Sequence, residues 1–134
     1  MEVLKTALWL SAIYCLVESS GVLLPWRAIT AYFEFYGYQV PAAEPINVFM
    51  IRLFSVLFGM IGIFFIILAQ NPLKYGGMLL LAAYGLLFYG DLNLVGGIRY
   101  VLPVWIYTGD VIFAVIAGVL ILIFRKKVIQ ANST

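Results

Sequence analysis

The chain has 134 residues, of which 65% are hydrophobic and 10% charged, with a net charge of +2 and no histidine. A water-soluble domain of this length lacks enough polar residues here to cover its surface, so the composition excludes one and points to a membrane protein. The small charge gives no grounds for a nucleic-acid partner, and the missing imidazole removes the usual haem ligand and the commonest zinc, copper or non-haem iron ligand, so no metal or cofactor is expected.

The first apolar stretch covers about residues 4–24. It is too long for a signal peptide, and its end, SSGVLLPWR, makes a poor cleavage site, so it is expected to remain as a first span. Cys15 is the sole cysteine, which rules out an intramolecular disulfide, and it reads as a small packing residue.

The connection PWRAITAYFEFYGYQVPAAEP follows. Ile29, Tyr32, Phe33 and Tyr36 recur at i, i+3, i+4 and i+7, while Arg27, Thr30 and Glu34 fall elsewhere. Pro25 can open such a helix and Gly37 can close it. The expectation is a short amphipathic helix in the membrane interface, with Trp26 and the tyrosines at headgroup depth. A lid over a pocket is the other reading.

A second span is expected over about 46–68, then the link QNPLKYGG, then a third and shortest span over about 76–91. YGDLNLVGG reads as turn-forming and flexible enough to line a pocket. A fourth span covers about 102–124. Each stretch is near the roughly 20 residues a spanning helix needs. The predicted fold is therefore all-α, a single integral membrane four-helix bundle with a short interfacial helix between spans 1 and 2. Lys5, Lys74, Arg125, Lys126 and Lys127 mark the cytoplasmic side, so both termini face the cytoplasm and the long connection faces outward. Asn132-Ser133-Thr134 matches a glycosylation acceptor by chance, since it lies on the cytoplasmic end.

The candidate site rests on four charges inside the spans. Counted from the basic anchors, Glu18, Arg52, Asp91 and Asp110 lie about 20 to 25 Å up, in one layer of the outer membrane half. Each ends a stripe of mostly small residues: Ala7, Ser11 and Cys15 before Glu18; Ser55, Gly59 and Gly62 after Arg52; Gly77 and Tyr84 before Asp91; Ala114 and Gly118 after Asp110. Small residues are what membrane helices present to one another, so the charges are expected to face the bundle axis. A charge facing lipid costs at least about 2.5 to 3.5 kcal/mol, and one facing partners inside a bundle usually has a role. Arg52 can pair with one carboxylate but not three, and Arg99 in the second outer connection can reach another. Two readings stand: a structural clasp fixing helix register, or a ligand or ion pocket beneath the interfacial helix. No triad, phosphate loop or metal motif is present, and no catalytic residue is expected.

An arginine opening the second span in IRLFSVLFGMIGI, an acid closing the third in YGDLN, an aspartate early in the fourth in TGDVIFAVIAGVLIL and an outer connection containing Tyr36-Gly37 resemble the small DoxX-like and BphX-like bacterial membrane proteins. That resemblance covers most of the chain. It implies a bacterial inner-membrane location, and a role as an accessory subunit of a larger membrane complex, or as a homo-oligomer, that meets membrane lipids and a lipid, quinone or other small-molecule ligand. It carries over to Arg52, Asp91 and Asp110. Glu18 invites comparison with small multidrug resistance transporters, which use a glutamate in the first of four spans. The long outer connection and the fixed orientation depart from that pattern, and a proton-coupled transporter is the alternative function.

Overall fold

The computed structural model describes residues 1–38 and 43–131, and its regular elements are all helical. The chance acceptor match at 132–134 and residues 39–42 of the long connection lie outside the described residues. Among the described residues there are five α-helices: α1 (Glu2–Ser19), α2 (Trp26–Phe35), α3 (Pro45–Gln70), α4 (Gly76–Arg99) and α5 (Val104–Ala131). The chain divides into two compact units, one comprising residues 1–11 and 65–134 and the other residues 12–64.

Helices α3, α4 and α5 are long and apolar enough to cross a membrane, and in each the most apolar stretch is only 22% to 28% buried. At 1.5 Å per residue these helices run about 36 to 42 Å, more than the roughly 30 Å of a hydrocarbon core. Helix α1 does not meet the same measure: it has 18 residues and carries Glu2, Lys5 and Glu18.

Three boundaries differ from expectation. The first stretch breaks at Ser19, where the serine Oγ donates to the Leu16 carbonyl at 2.7 Å and a 3-10 turn follows over Ser20–Val22. Serine competing for helix carbonyls in this way favours an end rather than a continuation. Helix α4 runs to Arg99 instead of stopping near Asp91, so Tyr89–Gly97 is helix and not a flexible pocket lining. Helix α5 continues past Phe124 to Ala131. Pro45 opens α3 at the first helical position, where its missing N–H would have had no intrahelical acceptor, and α3 ends at Gln70 because Asn71 precedes Pro72.

In the first unit α4 and α5 form an antiparallel hairpin. A Cβ on Gly118 would lie 2.9 Å from Leu87 Cγ and 3.1 Å from the Ala83 carbonyl; one on Gly90 would lie 3.3 Å from Ala114 Cβ; one on Gly97 would enter the Tyr107 ring at 2.3 Å. At the far end Arg125 Nε donates to the Gly76 carbonyl at 2.9 Å. Gly90 and Gly97 survive inside α4 because each missing side chain is the space a residue of α5 occupies, and Gly118 of α5 does the same for α4 residues. Leu4, Leu8, Phe65, Leu68, Leu79 and Ile121 are buried in this unit.

In the second unit the C-terminal part of α1 packs on α3. A Cβ on Gly62 would lie 2.9 Å from Leu16 Cγ and 3.3 Å from the Ala12 carbonyl, and one on Gly59 would lie 3.3 Å from Ser19 Cβ. Helix α2 is present as expected, with Ile29 buried. It closes on Gly37 at φ 82°, with Tyr38 N–H donating to the Phe33 carbonyl and Gly37 N–H to the Glu34 carbonyl. This is the Schellman ending, in which the left-handed residue lets two N–H groups turn back on the last carbonyls.

Candidate functional site

Arg52 stands near the start of α3 and is half-buried. Its Nη1 donates to the Gly21 carbonyl at 2.9 Å and to the Val22 carbonyl, and its Nη2 donates to the Leu24 carbonyl at 2.8 Å. These carbonyls follow the end of α1, where helical hydrogen bonding runs out and the carbonyl ends of the peptide dipoles accumulate. A guanidinium is suited to this place because it offers five donors in a planar fork and stays charged. Gly21 admits the approach: a Cβ there would lie 2.4 Å from the Oγ of Ser55, which is itself buried one turn along α3 from Arg52.

The Arg52–Ser55–Gly59–Gly62 stripe is therefore the face by which α3 meets α1, as its spacing predicts. What the spacing did not reveal is that main-chain carbonyls take the guanidinium. Glu18 lies on the exposed surface of α1, one turn before this carbonyl cluster.

The other four expected site residues belong to the first unit. Asp110 is half-buried on α5, and its Oδ2 accepts a hydrogen bond from the Tyr89 hydroxyl at 3.3 Å. Asn93, one turn further along α4, donates through Nδ2 to the Tyr89 carbonyl at 2.9 Å. The stripe of Asp110, Ala114 and Gly118 faces α4, as expected. On α4 the expected stripe is displaced by one residue. The face on α5 carries Ala83, Gly90 and Gly97, seven apart, whereas Tyr84 is 57% exposed, Asp91 is exposed and Gly77 has open space around it. One residue is about 100° of helix rotation, enough to carry Tyr84 and Asp91 off the seam. Arg99 is exposed in the last turn of α4, where a cation suits the carbonyl end of the helix.

Tyr89 is the site residue the sequence reading passed over, and so is Tyr107, whose ring lies against Gly97. The available signal was the heptad spacing of Ala83, Gly90 and Gly97, which places position 89 beside the seam. Among the described residues no group of three or more metal-ligating side chains is gathered.

Comparison with protein-family models, with curated proteins and with solved structures gives no match. The arrangement itself offers two polar points on apolar helices: a guanidinium holding the end of α1, and a tyrosine–carboxylate pair on the α4–α5 seam.

Proposed function

We propose that this protein is a non-catalytic accessory subunit of a larger membrane assembly. On this reading α1, α3, α4 and α5 cross the bilayer, α2 lies in the outer interface and both termini are cytoplasmic. The low burial of the apolar helices supports the membrane location, because apolar surface left uncovered by the chain itself needs lipid or another apolar partner. Lys74 and Arg125–Lys127 at the end of the hairpin opposite the α4–α5 connection support the orientation.

The observation that carries the subunit role is that mid-helix glycines stand on outward faces. Gly85 of α4 and Gly109 of α5 are exposed and have no heavy atom within 4 Å of where a Cβ would stand. A helix-interior glycine costs roughly 0.5 to 1 kcal/mol relative to alanine. Gly90, Gly97 and Gly118 return that through contact inside the chain; Gly85 and Gly109, away from the helix starts and the corner, leave hollows suited to a helix of another polypeptide. The DoxX-like and BphX-like resemblance supports the same role.

Native mass spectrometry of protein extracted from its own membranes in mild detergent tests this. The expected species contains a larger partner polypeptide, which Gly85→Leu and Gly109→Leu release while the chain keeps its helical signal. A wild-type species consisting of this chain and lipid alone would reject the subunit role.

A further inference from the structure

The α4–α5 corner holds the most unusual backbone among the described residues. Val101 sits at φ 52°, the left-handed region that a β-branched residue rarely enters, and its side chain is 87% exposed. The turn is a complete Schellman ending: Leu102 N–H donates to the Gly97 carbonyl at 2.9 Å and Val101 N–H to the Ile98 carbonyl at 3.2 Å. The chain ends α2 with the same pair of bonds and puts Gly37 at the left-handed position. Valine in that place is strained where glycine would not be, because its Cβ crowds the following carbonyl.

The surroundings hold the strain in place. Tyr107 lies on Gly97, whose carbonyl accepts the closing bond, and Pro103 follows within two residues and immediately precedes α5. The corner is thus ordered in advance, and what it presents outward is apolar and aromatic: Tyr100, Val101, Val104 and Trp105, the last 66% exposed, with Arg99 beside them in sequence and also exposed. Tryptophan and tyrosine beside an arginine, at the joint of two long apolar helices, is the composition that suits the boundary between lipid headgroups and acyl chains.

We propose that this corner is a pre-ordered anchor for the headgroup layer of a phospholipid leaflet. Val101 and Trp105 enter the apolar boundary and Arg99 meets lipid phosphate. The proposal rests on the membrane location given above but not on the subunit role. A rigid wedge loses little conformational freedom on entering the layer, which gives the strained valine a use that glycine could not serve.

The test uses the full chain with Trp105 as its only tryptophan (Trp9→Phe, Trp26→Phe), reconstituted in phosphatidylcholine–phosphatidylglycerol vesicles containing lipids brominated at known acyl depths. Trp105 emission is expected to be blue-shifted, quenched most by bromines near the headgroup and little by aqueous acrylamide. Val101→Asp and Arg99→Glu should each move it to the red and open it to acrylamide. Independently, a nitroxide on Val101→Cys in a Cys15→Ala chain that retains all its tryptophans should collide with oxygen more than with an aqueous nickel chelate. Protein that floats with the vesicles while Trp105 and the nitroxide report water overturns the anchor alone. Shielding from bromine and acrylamide together, which means a covering polypeptide, overturns it as well. Failure to float overturns the membrane location itself.

Discussion

At the scale of single residues, two side chains have roles that can be separated by what they touch. Arg52 satisfies three carbonyls where α1 ends, and unmet polar groups in partly buried places cost more than the bonds themselves are worth. Arg52→Ala is expected to destabilise the fold by about 1 to 3 kcal/mol, read as a lower melting temperature in detergent. Arg52→Lys should recover only part of it, since an ammonium has no planar fork to span three acceptors. Full recovery by lysine would mean that charge alone is needed. Gly97→Ala should cost about 1 to 3 kcal/mol, because the added methyl falls inside the Tyr107 ring and a packed aromatic must move. If Gly97→Ala melts with wild type, Tyr107 does not rest on α4.

At the scale of the elements, glycines sort by face and not by number. Gly62 and Gly118 admit a neighbouring side chain, so alanine at either should lower the melting temperature, whereas Gly85→Ala should leave it unchanged or raise stability by about 0.5 to 1 kcal/mol through helix propensity. Circular dichroism melts of the three variants decide the matter, and equal losses at all three would contradict the α4–α5 and α1–α3 packing described. The continuity of α4 through Tyr89–Gly97 belongs to this scale. Gly90, Gly96 and Gly97 with Asn93 look like a turn in isolation, but Gly90 and Gly97 are seated on α5, and packing overrides weak propensity. Amide exchange should therefore be slow from Leu79 to Ile98 without a break at Asp91, and fast exchange over Asp91–Gly97 would return that stretch to a loop.

At the scale of the whole molecule, the proposed topology rests on charge asymmetry. In a Cys15→Ala background, Lys74→Cys is expected to react with an impermeant maleimide only after cells are permeabilised, and Glu34→Cys in intact cells. The reverse pattern would invert the orientation. Composition and periodicity by themselves determined that the chain is helical with long apolar helices, that α2 exists and stops at Gly37, and that Arg52, Ser55, Gly59 and Gly62 share a face. Those are properties of one helix at a time, set by a 3.6-residue period and by glycine's access to positive φ. Only the tertiary structure decided what stands opposite each face: carbonyls before Arg52, Tyr89 beside Asp110, α5 against the stripe of Ala83, Gly90 and Gly97 while Tyr84 and Asp91 turn away. A partner from a distant part of the chain leaves no mark in local periodicity, because the period states that a face exists and the packing of a second helix chooses which face is used.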